Sequence, residues 1–249
     1  MKNTTIDDHC SKLQATSYKL QEIYNSNSFM LERNDDFGFF LICYMYKLDL
    51  HMNSIRKLSP SPDVQLIARS MIETLIQMLW VAHSPVQRAS MWRQYIFVED
   101  WKKLQDLLLK RKNISVEEQR SIKSGYEAIR DRYLTKNDKT HNNWKNGAKI
   151  HDMASIVEAD ELYSTLYSNL SDWVHGGPNS FSHLITFTSE MTLNIQSDAP
   201  NNILNSCFSI AFQCMYQALA ICSQHFSLEL EKSLQSIYEQ YINDMSQEK

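Results

Sequence analysis

Apolar positions recur at helical spacing along almost the whole of this 249-residue chain, and polar stop signals cut the pattern into segments. A stripe of Leu13, Tyr18, Leu20 and Ile23 predicts a first helix over about 5–24. The run DDFGFFLICYMYKLDLHMNSIRKL predicts a second, capped by Asp35 or Asp36 and stopped at Ser59-Pro60. In SPDVQLIARSMIETLIQMLWVAHSP, Ser61 is the cap, Pro62 the first helical residue, and Asp63 sits near the positive helix end. Ser84-Pro85 closes that segment. Helices are predicted next over about 86–112 and 115–134, the latter opened by the capping-box pattern SVEE. NDKTHNNWKNG, residues 137–147, reads as a loop. Two shorter helices are expected over about 149–158 and 160–175, then an irregular stretch over 176–200. Within it, HLITFTSEMTL reads as a short strand or extended arm. Two last helices are expected over about 201–225 and 226–245.

Long helices with short links imply an all-α fold: an antiparallel helical bundle with irregular additions, in one domain spanning 1–249. Composition agrees, since 5 Gly and 5 Pro leave little turn material for an all-β chain. One segment needs a separate decision. No Asp, Glu, Lys or Arg occurs from Asn201 to Leu228, a length that could span a bilayer. Asn205, Ser206, Ser209, Gln213 and Gln217 interrupt it and no basic cluster flanks its entry, so a buried central helix is the expectation, with no membrane. The 5 cysteines form no C-x-x-C pair and are odd in number, which reads as reduced, buried thiols. The polar N-terminus MKNTTIDDHCSKLQ lacks an apolar signal core, and the expected location is cytoplasmic.

The formal charge of −4 hides an asymmetry. Residues 102–149 hold thirteen Lys/Arg against six Asp/Glu, a net of +7 that leaves −11 for the rest. A basic middle on an acidic body suits phosphate, so RNA is an expected partner through 102–149. A merely solvated helical hairpin accounts for the same charges.

Candidate chemistry centres on two helices. Arg69 and Glu73 stand four apart on a helix that is apolar nearly all round, where charged side chains need a partner. They read either as a structural pair or as groups facing a polar pocket. In LYSNLSDWVHGGP, Tyr167, Ser171 and His175 fall on one face, and Gly176-Gly177-Pro178 then ends the helix. His175 reads either as an imidazole that can exchange a proton near neutral pH or as a residue that caps or packs the helix end. Trp144, with Lys145, Lys149 and Arg132 around the 137–147 loop, reads either as a surface for stacking on a base and holding phosphates or as a ring tucked under its own loop. The chain has no Walker loop, GxGxxG, HExxH or GxSxG, and His141, His151 and His183 lack ligand spacing. No metal and no cofactor is expected.

Taken in order, IARSMIETLIQMLWVAHSP, HNNWKNGAKIHDMA and LYSTLYSNLSDWVHGGP resemble the bacterial helical family provisionally called DUF5677. Its Arg-x-x-x-Glu helix, Trp loop leading to Met-Ala, and Tyr-x-x-x-Ser-x-x-x-His ending correspond to Arg69 and Glu73, Trp144 with Met153-Ala154, and Tyr167, Ser171 and His175. The resemblance covers roughly 40–180 and implies an α-helical domain, with the 201–245 helices packing on it. More loosely the pattern is similar to the HEPN ribonucleases, which act without metal, often as homodimers in toxin or phage-defence systems. Their Arg-x(4–6)-His motif is absent here, so Arg69 and His175 would have to meet through the fold. Two functional expectations stand side by side. One is a metal-independent ribonuclease-like effector using His175, Arg69 and Glu73. The other is a non-catalytic sensor or interaction module, binding a protein encoded by a neighbouring gene, in which those residues form a structural network. A homodimer is expected in either case.

Overall fold

The computed structural model describes residues 8–176, 184–187 and 193–246. Nine α-helices are found among them: α1 (Asp8–Ser26), α2 (Asp36–Leu58), α3 (Val64–His83), α4 (Pro85–Leu109), α5 (Val116–Ile129), α6 (Ile150–Ile156), α7 (Ser168–Val174), α8 (Asn201–Phe226) and α9 (Glu231–Ser246). The fold is all-α, as the periodicity predicts. β1 (Ile185–Phe187) and β2 (Leu193–Ile195) add one antiparallel ribbon, with Ile185 opposite Ile195. Part of the predicted extended arm, 183 and 188–192, lies outside the described residues.

Helix α3 is the axis of the bundle. It packs on α2, α4, α6, α7 and α8, and Ala68, Met71, Ile72, Leu75, Ile76 and Met78 are all fully buried. The charge-free helix α8 is the one described helix long and apolar enough to cross a bilayer. It packs on α1, α2 and α3, and 61% of its most apolar window is buried inside the protein. The hydroxyl- and amide-bearing residues that interrupt it include exposed Ser206 and half-buried Gln213. Four of the five cysteines, Cys10, Cys207, Cys214 and Cys222, are buried, and all five are free thiols.

Helices α4 and α5 form an arm. No residue of α5 is buried, and α5 packs on α4. A separate small cluster of Tyr95, Val98 and Tyr133 holds the arm's base, with Met91 and Tyr126 against it. Trp101 stacks on Tyr126 at 5.2 Å and 6°. Gly125 permits the close approach of the two helices, since a Cβ there would lie 2.8 Å from the Phe97 ring.

Local chemistry explains most helix ends. Asp35 caps α2 by accepting the Gly38 N–H at 2.7 Å, and Ser115 caps α5 by accepting that of Glu118 at 3.2 Å. Helix α3 begins at Val64, two residues later than Pro62 suggests. Ser61 Oγ accepts the Asp63 N–H at 3.3 Å, which fits a turn at 61–63. The expected 160–175 helix opens as a π-helix over Leu162–Tyr167 before α7.

Candidate functional site

A half-buried polar cluster, the α3 groove, lies along α3. Its base is the stripe Arg69, Glu73 and Gln77, each four apart and therefore on one face, with Ser70 three before Glu73 beside them. Helix α2 contributes Tyr44, Lys47 and His51 on one side, and the 162–174 segment contributes Tyr167 and Ser171 on the other. Arg69, Glu73, Lys47 and His51 are half-buried rather than sealed, and Leu66, one turn before Ser70, is 39% exposed.

Arg69 is held by hydroxyls. Its Nε donates to Ser171 Oγ at 3.0 Å and its Nη2 to Tyr167 Oη at 2.7 Å, while the guanidinium lies 4.5 Å from the Tyr167 ring centroid. Ser171 in turn donates to the Tyr167 carbonyl at 2.8 Å, which fixes its acceptor lone pairs toward the arginine. The π-helical turn matters here. Its wider loop brings residues four apart nearly into line, and the Tyr163 and Tyr167 rings stack at 5.2 Å and 21°. His151 closes the row, edge-on to Tyr163 at 5.2 Å.

Glu73 does not pair with Arg69. It accepts from Gln77 Nε2 at 3.2 Å, and Gln77 Oε1 accepts from Tyr44 Oη at 2.8 Å. Among the described residues no carboxylate stands within ion-pairing distance of Arg69. Among the described residues, this half-buried guanidinium is fixed in place with no carboxylate at contact distance. Charged side chains that leave water are ordinarily paired.

Neighbouring groups respond to this field. Burial raises the Tyr167 hydroxyl above its ordinary pKa, with Glu73 adding to the rise and Arg69 opposing it. Burial and then Glu73 push Tyr44 well above the usual phenol range, opposed in part by the Trp144 indole. Lys47 is lowered by burial and by Lys145, while Glu73 works the other way. His51 falls to about 4, through burial and then the charge of Lys47. Its Nε2 lies 2.9 Å from Ser70 Oγ. At neutral pH this imidazole is uncharged, so Lys47, Arg69 and Lys145 stand against one carboxylate, Glu73.

The remaining sequence candidates are distributed unevenly. His175 occupies the turn after Ser171 on the stripe that carries Arg69's two partners, and is exposed. Its backbone N–H caps α7 on the Ser171 carbonyl at 3.0 Å, and Gly176 then turns away at φ +65°. No hydrogen bond joins its side chain to the described residues, and 177–183 lie outside them. Trp144 is half-buried, 5.7 Å from Trp80 and 6.2 Å from Phe40, so its ring packs on the bundle at the groove's end. Lys149 and Arg132 are exposed, and Arg132 donates to Gln94 Oε1 at 2.9 Å. Lys47, His51, Ser70 and Gln77 were not candidates in the sequence. His51 and Ser70 sit in amphipathic helices with no motif, and their pairing depends on how α2 is rotated against α3. Among the described residues no group of three or more His, Cys, Asp or Glu could hold a metal.

Fold and site together define a helical-bundle protein with a half-buried polar cluster on an Arg-x-x-x-Glu helix. The family model for DUF5677, a family of unknown function, matches residues 56–192, more than half the chain, and the chain belongs to that family. The match takes in Arg69, Glu73, Trp144, Tyr167, Ser171 and His175. No curated protein and no solved structure matches the chain.

Proposed function

We propose that this protein is an RNA-binding helical effector, of the kind toxin and phage-defence systems use, which holds a backbone phosphate in the α3 groove. The observation that carries this reading is Arg69, oriented by Tyr167 and Ser171 with no carboxylate at contact distance among the described residues. A guanidinium fixed in this way offers its remaining N–H groups as a fork to a phosphate. The exposed basic residues of 102–149 extend the same field, and Lys145 links the two by standing near enough to Lys47 to lower its pKa. An RNA strand rather than a mononucleotide makes use of both.

The test is fluorescence anisotropy with labelled single-stranded RNA at low salt in EDTA. A charge-assisted contact is worth about 1.5–3 kcal/mol, so Arg69→Gln weakens binding roughly tenfold to a hundredfold. Arg69→Lys keeps the charge and loses the fork, and falls between. A folded Arg69→Gln protein that binds RNA as tightly as wild type defeats the proposal.

A second reading, cleavage, rests on the position of His175 one turn beyond Ser171. There it would serve as general acid or base while Arg69 stabilises the charge on phosphorus and Glu73 orients a partner. Wild type and His175→Ala incubated with the same RNA in EDTA decide it. Equal, negligible cleavage leaves the binding reading alone.

A further inference from the structure

A cleft lies away from Arg69, where the N-termini of α2 and α4 meet the C-terminus of α8. Its volume is about 730 Å³, inside the usual range for small-molecule sites of roughly 300–1,000 Å³. On its wall, His225 Nε2 and Asp35 Oδ2 are 2.7 Å apart, with side chains 25% and 24% exposed. Asp35 also accepts the Gly38 N–H, and the His225 ring is held edge-on to Phe37 at 4.9 Å and Phe226 at 4.7 Å. The pairing depends on Gly38. A Cβ there would fall 2.1 Å from the Asp35 carboxylate and 2.9 Å from His225 Nε2. Because Asp35 occupies Nε2, the ring's other nitrogen, Nδ1, is the one left to meet a ligand.

Charge and wall chemistry narrow the occupant. Asp36 is paired with Arg93 at 2.7 Å, and Asp35 is engaged by His225 Nε2 and the Gly38 N–H, so the described lining offers no unpaired Lys or Arg. A polyanion gains nothing there. Pro85, Val86 and Ile221 give an apolar wall, while Asn34 and Gln224 bring amides able to donate and accept at once. We infer that this cleft is a second ligand site, taking an uncharged planar heterocycle of nucleoside size. The heterocycle lies against the apolar wall and is read by Gln224, Asn34 and His225 Nδ1. The polar readers Asn34, Gln224 and His225 fall outside the 56–192 family match, while Pro85 and Val86 of the apolar wall fall inside it.

The experiment is proton NMR of the full chain titrated separately with adenosine, guanosine, cytidine and uridine to millimolar concentration. The His225 ring signal is assigned by its loss in His225→Gln. The expected result is a saturable shift of that signal with at least one nucleoside. Gln224 and Val86 are exposed, Val86 by 86%, so Gln224→Ala and Val86→Arg spare the fold. Each should weaken the nucleoside by about tenfold, whereas Arg69→Gln leaves it unchanged. No saturable shift with any of the four, or a shift that neither Gln224→Ala nor Val86→Arg alters, overturns the inference. Neither outcome touches the RNA reading, which stands or falls on Arg69→Gln.

Discussion

The bundle around α3 and the α4–α5 arm use charge in opposite ways. In the bundle, charged and polar groups are partly withdrawn from water, and each is tied to named partners: Arg69 to two hydroxyls, Glu73 to Gln77, His51 to Ser70. In the arm, Lys103, Lys110, Arg111, Lys112, Arg120 and Lys123 are all exposed, and those that pair do so with neighbours on their own helix. Stability belongs to the first region and long-range attraction to the second. Exposed pairs such as Lys110–Asp106 contribute about 0–1 kcal/mol, so the arm's charges are close to free for a partner.

The sharpest break in this comparison comes from a matched pair of truncations. Phe212 on α8 is fully buried and stacks on Tyr241 at 3.9 Å and 6°. Phe212→Ala removes that packing and leaves a cavity, at a cost of about 3–5 kcal/mol. Leu109 at the arm's tip is 83% exposed, and Leu109→Ala changes stability by no more than about 0.5 kcal/mol. Urea unfolding midpoints check both. Comparable losses would mean that arm and bundle share one cooperative core.

The same division decides what could be read from the sequence. Helices of the bundle were legible because their burial writes a 3.6-residue period, and caps such as Asp35 and Ser115 are chosen by local hydrogen bonds that the sequence contains. Arg69, Glu73, Tyr167 and Ser171 stood out because a charge or hydroxyl row on a helix is visible without the fold. What they do to one another was not. Arg69 and Glu73 share a face, yet Arg69 turns to Tyr167 and Ser171, because the π-helical turn and α7 supply hydroxyls on its side of α3. The π-helical turn at 162–167 carries no composition signal, and it sets the Tyr163–Tyr167 stack beside the arginine. His51 stayed hidden for the same reason. Its role depends on which face of α2 meets Ser70.

His51 gives the next test, smaller in size, of the claim that charge in the groove is coupled to folding. Its ordinary pKa is about 6.5 and in the folded protein it is about 4. On acidification the unfolded chain takes up this proton first, so stability present above pH about 6.5 drains away as pH falls toward about 4. Partial solvent access keeps the loss well below the roughly 1.4 kcal/mol per pK unit of a sealed site. His51→Gln retains a hydrogen-bonding group for Ser70 and cannot titrate. Between pH about 6.5 and 4 its urea midpoint should fall less steeply than that of wild type. Equal slopes would place the acid sensitivity elsewhere.

The arm supplies the complementary case, with the smallest effect on stability and a distinct effect on binding. Lys110, Arg111 and Lys112 are exposed in the turn between α4 and α5, beyond the Tyr95–Val98–Tyr133 cluster that anchors the arm. Replacing all three by Gln removes three positive charges without uncovering any core. The unfolding midpoint should move by no more than about 0.5 kcal/mol. If these residues meet RNA phosphates, each releases about 0.7 of a counterion from a single strand, so the slope of log affinity against log salt should flatten by about 2. Arg69→Gln removes one contact and should change that slope by less than 1, while costing more affinity at any one salt concentration. A triple variant that keeps the wild-type slope would show that the RNA runs along the α3 groove without reaching the arm. A triple variant that loses stability outright would show that the arm's charges are committed to the bundle after all.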